Sequence, residues 1–169
     1  GRGTVPSELR SDGRGGGALA YSGHNLRASD AAAFLEACAL GGATLNPAEE
    51  ALREALVRAG VVESAKGGRW LPGRGAAGVL TVARGTDAAE ARESLLHEAM
   101  HGLWYEAPGY AESCRRYWAE QLSEAQRELW RAFLAGHGYD AADDELAANE
   151  FQAYMATERQ LFGAGGGGG

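Results

Sequence analysis

The sequence predicts an α+β fold that is mostly helical, with a small β-sheet beside one long helix. Three observations point there. Alanine-rich stretches with apolar residues at helical spacing dominate the chain from Asp30 to Phe162. Short β-branched runs occur at Val61-Val62-Glu63-Ser64 and Val79-Leu80-Thr81-Val82. The segment from Ala88 to Tyr105 has no proline, and Gly102 is its one glycine. A chain of 169 residues fits one domain of ordinary size.

Taken in order, residues 1–29 read as a flexible linker, because Gly1-Arg2-Gly3 and Gly13-Arg14-Gly15-Gly16-Gly17 offer little to bury. Residues 163–169 read as a flexible glycine tail. The folded domain is expected over 30–162, with a small helix and hairpin part at 30–75 and the main part at 76–162. Ser29-Asp30 starts a helix that runs through Ala39 and is stopped by Gly41-Gly42. Asn46 caps a second helix with Pro47 at its first position, and Leu52, Ala55, Leu56 and Ala59 mark its inner face. Val61–Ser64 and Arg69-Trp70-Leu71, joined across Lys66-Gly67-Gly68, predict a hairpin. The hairpin and Gly78–Arg84 are expected to form one sheet, whose open edge would accept an extended peptide as an added strand. A helix followed by a hairpin also suits a winged nucleic-acid module, but the net charge of −7 and the lack of a basic cluster argue against that partner. Further on, Ala111–Leu122 predicts a helix. Ser123 with Gln126 opens another, with Leu129, Trp130, Phe133 and Leu134 as its buried face. A final helix is expected from Ala142 to Leu161.

The chemistry lies in His97-Glu98-Ala99-Met100-His101. Asp87 and Glu90 supply a capping-box-like start to its helix, and Ala91, Leu95, Leu96, Ala99, Leu103 and Trp104 an apolar stripe. Residues i and i+4 share a helix face, so both imidazoles reach one metal ion while Glu98 sits beside it. Two core histidines satisfied by carbonyls are the alternative; the carboxylate between two imidazoles at this spacing favours a metal.

A catalytic zinc site takes three protein ligands and leaves one position open. Glu145 and Glu150 compete for the third place. Five residues at about 100° each set them about 140° apart, so they occupy different faces. Glu145 follows Asp143 and Asp144 in an acidic first turn, as suits the helix dipole. Glu150 sits among Leu146, Ala147, Phe151, Ala153 and Tyr154, where an unpaired charge is costly. Glu150 is therefore the expected ligand, with Glu145 in reserve.

With these residues in place, the segment from Val79 to Met155 resembles the gluzincin-like HExxH zinc metallopeptidases of the zincin superfamily. In that family a strand precedes the active-site helix and a later helix supplies a glutamate. The glutamate with alanine three residues on, Glu150 and Ala153, is similar to lethal-factor-like peptidases, whereas anti-repressor-type peptidases would align Glu145-Leu146-Ala147-Ala148-Asn149. The stretch Gly102-Leu103-Trp104-Tyr105-Glu106 lacks the third histidine of metzincins. The resemblance implies a zincin-like fold and a Zn2+ held by His97, His101 and Glu150. It implies hydrolysis of a peptide bond, with Glu98 as general base toward the attacking water. The developing oxyanion needs a donor besides the metal. Tyr139 in Gly136-His137-Gly138-Tyr139-Asp140 is the candidate, with His137 second and Tyr105 and Tyr110 behind; packing on the core is the other role open to Tyr139. Glu106, Glu112 and Asp140 are available to orient the ligand imidazoles, and Asn149 to hold the backbone or Glu150.

Cys38 and Cys114 form no metal or redox pattern and no disulfide framework. No stretch suits a membrane span, and no signal peptide is visible. Compartment and oligomeric state are not encoded locally. The expected partner is a peptide or protein substrate, with an endopeptidase preferred because no aminopeptidase-type motif is evident. Rival readings are a catalytically silent zincin-like domain that binds a protein partner, a regulatory peptidase with one dedicated substrate, and a helical binding domain with a fortuitous HExxH.

Overall fold

The computed structural model describes residues 23–157. Residues 1–22 of the expected linker 1–29, the expected tail 163–169 and the expected last turn of the final helix lie outside them. The elements run β1 (Gly23–Arg27), α1 (Ala28–Gly41), α2 (Pro47–Arg58), β2 (Val62–Ser64), β3 (Trp70–Pro72), β4 (Gly78–Val82), α3 (Ala88–Glu106), α4 (Pro108–Arg116), a π-helical turn (Tyr117–Gln121), α5 (Glu124–Gly136) and α6 (Asp144–Thr157). The described residues are mostly helical with a small β content, an α+β arrangement. No helix among them is long and apolar enough to cross a membrane.

The strands depart from expectation in one respect. Val62–Ser64 and Trp70–Pro72 do pair as an antiparallel hairpin, but β4 does not join them. Instead β4 pairs antiparallel with β1, in the register Gly23↔Val82 to Arg27↔Gly78. Residues 23–27 had read as part of the linker, so the sequence reading missed this strand. Its residues Gly-His-Asn-Leu-Arg carry no alternating apolar pattern, because the face turned to α3 is made of Gly23, Asn25 and Arg27. Gly78 is needed for the pairing: a Cβ there would lie 2.6 Å from the Leu26 carbonyl oxygen.

Two apolar clusters support the fold. Ala28, Ala31, Ala32 and Leu35 of α1 pack with Leu56, Val61 and Val62, and Leu26, Trp70 and Val79 close around them. On α2 only Leu56 is buried; Leu52, Ala55 and Ala59 face out. The second cluster joins Trp104, Ala111, Trp118, Leu134, Ala147, Ala148 and Phe151. Leu134 is fully buried, whereas Leu129, expected on the same face of α5, is 71% exposed.

The predicted helix over 111–122 is a shorter α4 followed by the π-helical turn. Arg127 holds that turn, its Nη1 donating to the carbonyls of Trp118, Ala119 and Leu122 at 3.1, 2.9 and 2.7 Å. Pro108 ends α3 as expected and also opens α4.

Helix α3 begins as read, with the Asp87 carboxylate accepting from the backbone N–H of Ala89 and Glu90. Its buried face differs. Ser94, His101 and Trp104 are buried and His97 is half-buried, while Leu95, Leu96 and Leu103 are exposed. The seam at 94, 97, 101 and 104 keeps helical spacing, but its chemistry is polar because of what it meets. Helix α6 is buried on all sides from Ala147 to Ala153 and presents Asn149 and Glu150 to α3.

Candidate metal centre

Glu150 joins the two histidines from across the α3–α6 contact. Its Oε2 lies 3.4 Å from His97 Nε2, and its Oε1 lies 3.5 Å from His101 Nε2. Among the described residues, His97, His101 and Glu150 form a cluster whose donor atoms all fall within 4.8 Å of one another. Four-coordinate metal at about 2.1 Å from each ligand requires ligand–ligand separations of about 3.4 Å. Both imidazole–carboxylate distances meet that figure, and they are too long for good hydrogen bonds. Glu150 Oε2 is buried and has no hydrogen-bond partner. An orphaned carboxylate oxygen costs about 1–3 kcal/mol or more, and a cation between it and the two imidazoles removes that cost. These residues therefore fit a metal ion.

The reserve candidate stands elsewhere. Glu145 is exposed and forms a bidentate pair with Arg115, whose Nη2 and Nε lie 2.6 and 2.7 Å from its two oxygens. Arg115 also lies over the Trp104 ring. Asp143 caps α6 by accepting from the N–H of Glu145 and Leu146, and Ala147, Ala148 and Phe151 pack α6 into the second apolar cluster.

Glu98 lies one turn edge away from the imidazoles, against β1. A Cβ on Gly23 would lie 3.1 Å from Glu98 Cγ and 3.0 Å from the Thr81 carbonyl oxygen, so any larger residue here crowds the Glu98 side chain by a few tenths of an ångström. Asn25 Nδ2 donates to the Glu98 carbonyl at 3.0 Å and ties the strand to α3. Burial pushes the Glu98 carboxyl above the usual carboxylate range; His101 and His97 pull it down, and Glu150 adds to the rise. A carboxylate raised in this way is a stronger proton acceptor than a free one.

The two imidazoles are held differently. The Tyr154 ring meets His97 edge-on, with centroids 4.8 Å apart. His101 Nδ1 lies 3.0 Å from Asn149 Oδ1. Gln152 Nε2 donates to the same oxygen at 3.2 Å, and Tyr110 donates to Gln152 Oε1 at 2.8 Å. Burial pushes the Tyr110 phenol up to about 12, so it stays a donor at ordinary pH. Asn149, not Glu106, Glu112 or Asp140, thus orients His101.

Tyr139 packs against the second apolar cluster, and its backbone N–H donates to the Leu134 carbonyl. The His137 ring lies tilted against Phe133, and its Nδ1 is 2.8 Å from the Phe133 carbonyl oxygen. The residues that the sequence reading missed are Gly23 and Asn25, hidden in an apparent linker, together with Gln152 and Tyr154. For Gln152 and Tyr154 the one sequence signal is their place near Glu150 on α6, Tyr154 one turn beyond it, whereas Gly23 and Asn25 carry none.

Comparison with family models, curated proteins and solved structures returned no match for this chain.

Proposed function

We propose that this protein is a zinc-dependent peptidase with a gluzincin-like site, hydrolysing peptide bonds and acting as an endopeptidase. The observation that carries the reading is the convergence of two imidazoles and a buried, otherwise unpartnered carboxylate with a second carboxylate, Glu98, at their side. A set of two nitrogens and one oxygen suits zinc, which lowers the pKa of a water it binds and polarises a carbonyl.

The chain's own residues supply the rest. His97, His101 and Glu150 hold the ion. Glu98, with its carboxyl raised by burial, takes a proton from the attacking water and delivers it to the leaving amine. Gly23 leaves the space in which that carboxylate rests. A purely structural metal site has no need of a base beside its ligands, and the presence of Glu98 therefore favours catalysis over a silent binding domain.

The test is a digest of a peptide library by zinc-replete protein, with Glu98→Gln as control. Cleavage by the wild type and its loss in a variant that still binds zinc is the expected outcome. Full-rate cleavage by Glu98→Gln would show the mechanism to be wrong. Zinc binding without cleavage of any peptide would favour the silent or single-substrate alternatives.

A further inference from the structure

Helix α2 and the β2–β3 hairpin enclose a cavity that takes no part in the metal centre. It measures about 530 Å3 and is lined by Arg53, Glu54, Val57, Arg58, Ser64 and Trp70. Ligand sites occupy about 300–1,000 Å3, so the space is of the right order for one. None of the six residues belongs to α3 or α6.

Four of them come from the end of α2. At about 100° per residue they span about 140° of its surface, a single face turned to the hairpin. Arg53 pairs with Glu50 on its own helix. Arg58 is exposed and has no ion pair among the described residues. Beside that guanidinium, Val57 is 46% exposed and Trp70 is half-buried. Ser64 and Trp70 are cross-strand partners, so their side chains share one face of the hairpin.

The hairpin also offers backbone. Gly73 N–H donates to the Val61 carbonyl and Ala65 N–H to the Arg69 carbonyl. Ladder bonds alternate along an antiparallel pair, so Ser64 turns its own N–H and C=O away from β3. Ser64 is exposed, and β2 has no second neighbour among the described strands. An added strand would find one donor and one acceptor there.

Charge selects the occupant. Segment 53–84 carries six basic side chains and two acidic ones, in a chain whose net charge is −7. This local surplus draws acidic partners to the module. Inside the cavity Glu54 offsets one of the two guanidiniums. One net positive charge suits a single carboxylate better than a phosphate backbone, which takes several.

We infer that this cavity docks an extended peptide of a partner protein, in which an acidic residue stands two places from a large apolar one. Residues two apart share a strand face about 6.8 Å from each other, so both side chains turn to α2 together. The carboxylate pairs with Arg58, the apolar side chain covers Val57 and Trp70, and the peptide backbone bonds Ser64. The site is separate from the metal centre, and its existence does not depend on the peptidase reading.

The test uses the full chain in chelator, so that no hydrolysis interferes, and the fluorescein-labelled probe Ser-Thr-Glu-Thr-Leu-Thr-Ser, followed by anisotropy. Saturable binding is expected, with the Ser64 amide resonance shifting as the peptide is added. Arg58→Glu should weaken it about tenfold or more, and Val57→Asp several-fold. Lysine for the probe's glutamate, or serine for its leucine, should weaken it likewise. Arg116→Glu makes the same charge change on α4 and should leave affinity unchanged. Absence of saturable binding overturns the proposal, as does an equal loss in Arg116→Glu and Arg58→Glu. Resonance shifts confined to α3 and α6 would place the peptide at the metal centre and overturn it too. A single-stranded oligonucleotide that binds more tightly and displaces the probe would make nucleic acid the partner. A dimer that dissociates on Arg58→Glu would make it a second copy of the chain. Either result overturns the proposal.

Discussion

Replacing Glu150 by glutamine should reverse sign with zinc. In the metal-free protein, Glu150 Oε2 is buried without a hydrogen bond and the carboxylate sits 3.4 and 3.5 Å from two imidazole nitrogens. An amide of the same shape places an N–H where one of those oxygens stands and donates to an imidazole lone pair. Relieving one orphaned buried acceptor is worth about 1–3 kcal/mol, so metal-free Glu150→Gln should melt a few degrees above metal-free wild type. Zinc at 1,000 times its dissociation constant adds about 4.1 kcal/mol to the wild type. A variant bound about a hundredfold more weakly gains roughly 1.4 kcal/mol at the same concentration. The gain from zinc should therefore be about 2.7 kcal/mol larger for wild type. The assay is thermal unfolding by circular dichroism, with chelator and then with excess zinc. An equal zinc increment in both proteins would refute the assignment of Glu150 as a ligand. A metal-free variant less stable than wild type would refute the claim that the buried Glu150 Oε2 lacks a hydrogen-bond partner that an amide supplies.

Three further outcomes follow from other parts of the molecule. Glu145→Ala removes an exposed pair with Arg115 and should cost at most about 1 kcal/mol while leaving zinc affinity unchanged in a chelator titration, so a large affinity loss would place the ligand there instead. Gly23→Ala puts a methyl 3.1 Å from Glu98 Cγ and 3.0 Å from a fixed carbonyl; it should lower kcat several-fold on any peptide the protein cleaves with zinc content intact, and an unchanged kcat would remove Gly23 from the site. Arg131 holds the Asp144 carboxyl below its usual range, and Arg127 followed by Arg131 does the same for Glu124. Depressed folded values mean stability that is present above the unfolded range and lost as pH falls through the lowered values. Arg131→Met should thus flatten the fall in Tm on the acid side, with the difference shrinking in high salt; an unchanged acid limb would show that these exposed pairs contribute nothing.

The sequence by itself determined the local geometry. The spacing of His97, Glu98 and His101, the Asp87 and Asn46 caps, and the capping box at Ser123 all appear as read, because caps and i, i+4 relations depend on a few adjacent residues and on helical pitch; Glu49 adds a capping box at Asn46, and Glu90 does not complete one at Asp87. What it left open was which faces meet. His97, His101 and Trp104 turn inward as expected, but Leu95, Leu96 and Leu103, which the apolar stripe also placed inside, are exposed, because α6 offers a carboxylate and an amide to the imidazole face and polar groups bury only where partners await them. The structure sets Glu150, not Glu145, beside the two imidazoles, while Glu145 pairs with Arg115, thirty residues away in sequence. Strand β1 was invisible because glycine and asparagine carry no strand signal; it exists through pairing with β4 and through the contact of Gly23 with Glu98. Pitch and capping are properties of neighbours along the chain, whereas the meeting of three donors, a base and an orienting amide depends on how separate helices are rotated and docked, which no local pattern specifies.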